Sequence, residues 1–266
     1  MSLPDLSLAA RRAVRRLWAR WPVRAVRLCC LCGRSVRAFL PYRDGLASLP
    51  AVATEADIVG SDVENFECPA CGCHDRERHL LLYLQAADLL AQLKGARILH
   101  FAPESRLQRV IMAAGPAIYE RADLFPRHAG VHKLDLMAIG RPNESFDFVI
   151  ANHVLEHVGD DATALREILR VLRPGGRAIL QTPFAAARAT TFEDAAIQGE
   201  LERLHAYGQE DHCRLYGTDF VDRVRSFGFV SQVTDHATLL PDLDSARLGI
   251  NTREPFLLFA KPELVA

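Results

Sequence analysis

The sequence predicts an α/β protein whose main body is a seven-stranded, doubly wound, mostly parallel sheet. A small cysteine-rich module and an arginine-rich helix precede it. Three observations support that reading. After Gly95, short apolar runs alternate with stretches of helical periodicity, the pattern of a parallel sheet wrapped by helices with ligand sites at its strand C-termini. Six of the seven cysteines fall in two tight clusters before residue 75. From Arg11 to Arg27 there are seven arginines and no acidic residue.

The 266 residues are 49% hydrophobic and 24% charged with a net charge of −1. That suits a soluble globular protein with one full domain and an appendage, and it supplies no global field toward nucleic acid or membrane. No apolar run approaches the ~20 residues of a spanning helix. The start lacks the apolar core of a secretory signal, which places the protein in the cytoplasm, although a mitochondrial presequence would also be arginine-rich.

Residues 1–27 are read as a basic amphipathic helix. Arg12, Arg16, Arg20 and Arg24 recur every four positions and form one stripe, with Val14, Leu17, Trp18 and Trp21 opposite. Such a stripe suits a membrane surface, a nucleic acid or an acidic partner; docking of the tryptophans on the main domain is the plainer alternative.

Residues 28–75 are read as a zinc ribbon. Cys29-x-x-Cys32-Gly33 and Cys68-x-x-Cys71-Gly72 each place two thiolates on one tight turn, and the glycine permits the positive φ that turns backbone amides toward sulfur. Together they make a four-cysteine site for one structural zinc ion, closed and therefore not catalytic. Cys30, Cys73 and His74 are the substitute ligands this reading sets aside. A helix at 76–93, with Leu80, Leu81, Leu84, Ala87, Leu89 and Leu90 on one face, fills the connecting segment 76–94.

In the main domain, 95–266, strands are expected at 97–101, 116–120, 131–134, 146–151, 177–182, 229–236 and 255–261. Helices are expected near 105–114, 162–172 and 219–227. The stretch from Phe146 to Phe184, FDFVIANHVLEHVGDDATALREILRVLRPGGRAILQTPF, runs as buried strand, polar turn, amphipathic helix, Pro-Gly-Gly turn and second buried strand.

This stretch resembles the second half of the class I S-adenosylmethionine (SAM) dependent methyltransferases, and the likeness extends over about residues 95–262. The resemblance implies the seven-stranded methyltransferase sheet, SAM as cofactor and a methyl-transfer activity. It also implies cofactor positions. His100, Ala102 and Glu104 stand in the loop after the first strand, where the family usually has glycines, so this chain departs from the pattern there. Glu104 would meet the SAM ammonium group. Asp123, with Glu120 as the alternative, would hold the ribose hydroxyls. Asp135 and Leu136 would hold the adenine, and Asn152 and His153 would line the transfer site.

His153-x-x-Glu156-His157 also fits an H-x-x-E-H zinc peptidase pattern, but that reading needs a long helix and the motif here follows a buried strand. Residues 184–217 are expected to form a lid over the acceptor. Its Asp211-His212 pair suggests His212 as general base, with His153 second, since an imidazole titrates near neutrality. The expected acceptor is a small molecule with a hydroxyl or amine, a sugar or secondary metabolite. An RNA methyltransferase and a non-catalytic zinc-ribbon adaptor are the alternatives.

Overall fold

A computed structural model describes residues 8–20 and 26–263. Trp21, Arg24 and the side chains of Arg11 and Arg12 lie outside the described residues. Seven strands form the main sheet: β1 Arg97–Phe101, β2 Ile118–Asp123, β3 His132–Lys133, β4 Phe146–Ala151, β5 Leu172–Ile179, β6 Val230–Ser231 and β7 Leu258–Ala260. Their spatial order is β6-β7-β5-β4-β1-β2-β3. All neighbours run parallel except β7, which is antiparallel to both β5 and β6. The order reverses between β4 and β1, so the crevice outside their C-terminal ends is the natural ligand site.

The central strands β1 and β4 are buried along nearly their whole length, as parallel strands covered on both faces must be. One face packs helices α4 (Asp161–Val171) and α6 (Phe220–Arg225) through Leu165, Ile168 and Val224. The other packs α2 (Asp75–Ala86) and α3 (Leu107–Ala113) through Leu80, Leu84, Leu107 and Ile111. Asp160 caps α4 by accepting from the Thr163 amide at 3.1 Å.

The connecting helix differs from expectation. It ends at Ala86 because Asp88 turns left-handed (φ 53°), and a separate short helix follows at Leu89–Gln92. Strand β2 starts and ends later than the sequence suggests, reaching Asp123, while β5 begins five residues early at Leu172. Among the described residues, no helix is long and apolar enough to cross a membrane.

Helix α1 spans Leu8–Arg20. Arg15 and Arg16 face Asp44 and Glu67, and Arg37 stacks over the Trp18 ring at 3.9 Å. The cysteine module is joined to the main domain by Arg78, fully buried on α2. It donates to the carbonyls of Leu248 at 2.9 Å and Gly249 at 2.7 Å, and lies over the Phe39 ring.

Residues 184–217 fold over the sheet edge. Phe184–Ala185 pair with Ile58–Val59 of the cysteine module, and helix α5 (Glu200–Tyr207) follows. Buried Arg214 anchors this segment by donating to the carbonyls of Leu155 and Gly159, each at 3.0 Å. Asp161 accepts from Arg223 at 2.8 Å and from the Tyr216 hydroxyl at 2.8 Å. Burial alone would raise the Asp161 carboxyl, but Arg223, Arg214 and Tyr216 hold it below its ordinary value.

A carboxyl depressed in the folded state stabilises above its unfolded pKa and loses that contribution as pH falls through the folded value. Asp161→Asn should therefore cost about 1.5–3 kcal/mol at neutral pH by removing the charge-assisted bonds from Arg223, leaving Glu193 as the remaining carboxylate partner of Arg223 and Arg214. In urea unfolding curves, the gap to wild type should narrow as pH drops below about 4. A gap independent of pH would show that the carboxylate charge is not what holds the segment.

Candidate active site

The loop after β1 makes its turn without glycine. Ala102 adopts a left-handed conformation (φ 47°), and its amide donates to Ala122 at 2.8 Å. A side chain in that region costs about 1–2 kcal/mol, strain of the kind concentrated at functional edges. His153, just after β4, is also left-handed (φ 54°).

Glu104 turns inward from this loop and is nearly buried. The Asn152 side-chain amide donates to its Oε1. Its Oε2 lies 3.2 Å from His100 Nε2 but out of line for a hydrogen bond. His100 is fixed from the other side, with Nδ1 2.8 Å from the Tyr119 hydroxyl. Burial would raise the Glu104 carboxyl; His100 and the Arg76 guanidinium outweigh it and hold the group below its ordinary value. Four buried polar atoms here make no hydrogen bond: Glu104 Oε2, His100 Nε2, Asn152 Oδ1 and Arg76 Nε. Glu104 Oε2 and Asn152 Oδ1 are acceptors and Arg76 Nε is a cationic donor, the complement of an amino acid's ammonium and carboxylate groups, while His100 Nε2 faces Glu104 Oε2.

The next two predicted positions lie along the same edge. Asp123 ends β2, its Oδ1 accepting from the Phe125 amide at 2.8 Å. Glu120, the alternative, is committed elsewhere, bound by Arg141 and by His132. Asp135 follows β3 and accepts from the Met137 amide at 2.8 Å, while Leu136 is buried in the core.

His153 sits between two buried carboxylates, with Nδ1 3.6 Å from Glu156 and Nε2 3.3 Å from Glu254. Burial alone would lower its pKa, but the two carboxylates push it up to about 9. The ring is thus a held cation at neutral pH, which does not suit it to accept a proton as the sequence expectation of a second base requires. Glu254 continues the chain to His79 at 3.2 Å, and His79 to His236 at 2.9 Å.

His212 comes from the covering segment and is buried. Its Nδ1 lies 3.3 Å from the Tyr207 carbonyl. A carbonyl only accepts, so Nδ1 carries the proton and Nε2 keeps a lone pair. Burial lowers the ring's pKa, which keeps it neutral. His153 and His212, together with Glu156 and Arg76, line one cavity of about 1530 Å³ between the cysteine module and the covering segment. The H-x-x-E-H stretch forms only a three-residue turn, Leu155–His157, and no peptidase helix.

In the cysteine module, the Sγ atoms of Cys29, Cys32, Cys68 and Cys71 lie within 4.8 Å of one another. Cys29 and Cys71 are 3.8 Å apart, close to the ~3.8 Å edge of a zinc–thiolate tetrahedron with ~2.3 Å bonds. Gly33 and Gly72 have φ 68° and 76°, and each donates its amide back to the first cysteine of its turn at 2.8 Å. Cys73 is buried 3.4 Å from Cys29, outside the four-sulfur group. Cys30 points to the Arg78 carbonyl, its thiol pushed up to about 12 chiefly by burial. His74 stacks on Phe66.

Glu254, His79 and Arg76 were missed by sequence reasoning. Each is a single charged or polar residue far along the chain from its partners, and no local spacing marks it.

Residues 111–180, which hold β2 to β5, match the family described as a methyltransferase domain. A malonyl-[acyl-carrier protein] O-methyltransferase of Halorhodospira halophila is 33% identical over 102 residues, covering 38% of this chain and 32% of that protein. A probable S-adenosylmethionine-dependent methyltransferase of Mycolicibacterium smegmatis is 40% identical over 67 residues, 25% of this chain and 23% of that protein. The chain thus spans about a third or less of the curated relatives it matches. Among solved structures, an S-adenosylmethionine-dependent methyltransferase from Mesorhizobium loti is 17% identical with a TM-score of 0.46, over 66% of this chain and 96% of that one. The family match and the two relatives support a class I SAM-dependent methyltransferase domain.

Proposed function

We propose that the protein transfers a methyl group from SAM to a hydroxyl or amine of a small-molecule acceptor held in the 1530 Å³ cavity. The observation that carries this reading is three of those four buried atoms at the β1–β4 crevice: Glu104 Oε2, Asn152 Oδ1 and Arg76 Nε. Leaving such groups unsatisfied costs about 1–3 kcal/mol each. A zwitterionic amino-acid end satisfies all of them, and SAM has one. SAM supplies an already activated methyl group, so the protein has to align the acceptor and help remove one proton.

This chain's residues divide that work. Glu104 and Asn152 receive the ammonium group and Arg76 the carboxylate. Asp123 takes the ribose hydroxyls, and Asp135 with the backbone at Leu136 takes the adenine. His153 keeps a fixed positive charge between Glu156 and Glu254 at the cavity wall. His212 presents its Nε2 lone pair to activate the acceptor. The arginines around the cavity favour a small molecule over RNA: Arg16, Arg43 and Arg253 are already paired with Glu67, Glu210 and Asp57. Phosphates would have to displace those carboxylates. Cys29, Cys32, Cys68 and Cys71 hold one structural zinc ion in this reading.

Calorimetry should detect SAM binding, weakened about tenfold or more in Glu104→Gln, because a charge-assisted bond is worth about 1.5–3 kcal/mol. Absence of heat in the wild-type protein would exclude the methyltransferase reading. With an acceptor found by its gain of one CH2 in mass, His212→Ala should cut turnover about 10²–10⁴-fold with SAM affinity unchanged; parallel losses in both would mean a structural role. Metal analysis should find zinc held by the thiolates. Cys68→Ser should release that zinc and unfold the module, and retention of zinc by the variant would contradict the assignment.

A further inference from the structure

The wall of the acceptor cavity gathers three donor atoms that the methyl-transfer reading does not require together. Glu156 and His157 come from the turn after β4, and His212 from the covering segment. Each offers one ligand atom, and the three lie within 4.8 Å of one another. The lid backbone clamps them in place, since the Cys213 amide donates to the Glu156 carbonyl at 2.7 Å and the Cys213 thiol to the His157 carbonyl at 3.3 Å.

Each donor is also held from its far side. Glu156 Oε2 accepts from the Thr182 hydroxyl at 3.0 Å, and Oε1 lies 3.6 Å from His153 Nδ1, too far for a hydrogen bond. His157 Nδ1 faces the Asp211 carboxylate and the Asp211 carbonyl, both at 3.3 Å. His212 Nδ1 faces the Tyr207 carbonyl at 3.3 Å. These partners only accept, so both rings carry a proton on Nδ1 and have Nε2 left for another bond. Histidines that bind metals are oriented in this way by an acceptor behind the ring.

His157 Nε2 lies 3.9 Å from Glu156 Oε1. That is too long for a hydrogen bond. It falls between the ~3.0 Å of two donors at a right angle on one ion and the ~4.2 Å of two opposed donors, for bonds of ~2.1 Å. The two rings meet edge to face, 4.8 Å between centroids, so they do not stack on each other.

We propose that Glu156, His157 and His212 bind one divalent cation, and that the acceptor coordinates it through an oxygen. Two imidazoles and a carboxylate with open positions suit manganese, iron(II) or zinc. The open positions face the cavity, which all three residues line. On the cation, the acceptor's O–H bond breaks and its proton goes to water. The oxygen then attacks the methyl carbon of SAM, and the C–S bond breaks with its electron pair remaining on sulfur. This deepens the methyltransferase reading and rests on it: His212 activates the acceptor by holding the cation and is not itself the proton acceptor.

The test uses the full chain with its cysteine-bound metal, freed of loosely held ions by brief chelation. Manganese(II) is then titrated and followed by loss of the free-ion electron paramagnetic resonance signal. Manganese prefers oxygen and imidazole donors to thiolates, so the cysteine module does not compete. Wild type should take up one manganese per chain. Asp211→Asn, which alters only an exposed partner behind His157, should weaken uptake about 10–100-fold, and His157→Ala should abolish it. No saturable uptake by wild type, or equal uptake by both variants, would overturn the cation site. SAM calorimetry on the same sample separates the two readings. SAM binding without manganese uptake removes only the cation, whereas manganese uptake without SAM binding supports the cation and removes the methyltransferase reading.

Discussion

The alternation of buried charge through Glu156, His153 and Glu254 is the constraint on which the site depends. All three groups are almost entirely out of water. A single buried charge here would be driven to its neutral form, but a cation between two carboxylates keeps all three ionised. Burial works against each of the carboxyls, yet Glu156 falls to about 2 and Glu254 is held far below its ordinary value by His153 and His79. The three residues also come from separate places. Glu156 and His153 follow β4, Glu254 precedes β7, and His79 lies on α2. One electrostatic unit therefore joins the sheet edge, the C-terminal loop and the helix that carries the cysteine module.

That unit explains why the edge tolerates strain. Ala102 and His153 both sit left-handed at the ends of adjacent central strands. Neither conformation would persist in an isolated turn. At His153 the backbone is pinned by its amide, which donates to the Gln181 carbonyl at 2.7 Å, while the ring is fixed between its carboxylates. At Ala102 the amide is tied to β2. The turn that glycines commonly make is achieved here by surrounding packing, and Glu104 is delivered to the crevice as a consequence.

How much of this could be read in the sequence depended on the range of the interaction. Strands β1 and β4 match the expected 97–101 and 146–151 because a continuous apolar run between polar breaks is a local signal. The CxxC-Gly turns were legible for the same reason, since two thiolates and a glycine lie within five residues. Strand β2 shifted because its first residue, Ile118, is exposed and its later ones are polar, so apolarity did not mark its limits. Glu254 and His79 were illegible as site residues. Their partners lie 101 to 175 positions away, and nothing near them in the chain distinguishes them from surface charges. The H-x-x-E-H pattern was visible, but the third side chain that gathers with Glu156 and His157, His212, comes from another segment. Spacing alone could not show that convergence, and the peptidase reading it allowed was set aside because the motif follows a buried strand.

The cysteine module is then part of the site and not merely an appended ornament. One wall of the cavity comes from the stretch between the two knuckles, including Gly60, whose position leaves only 3.0 Å between an added Cβ and Pro183. The same stretch supplies the strand that pairs with Phe184–Ala185. Arg78 fastens the module to the main domain through carbonyls on both sides, Asn65 and Phe66 on one and Leu248 and Gly249 on the other. Short strands of two residues cannot hold such a wall alone. The sulfur cluster and the buried guanidinium must do so, which links the order of the cysteine turns to the shape of the cavity that the module and the covering segment enclose.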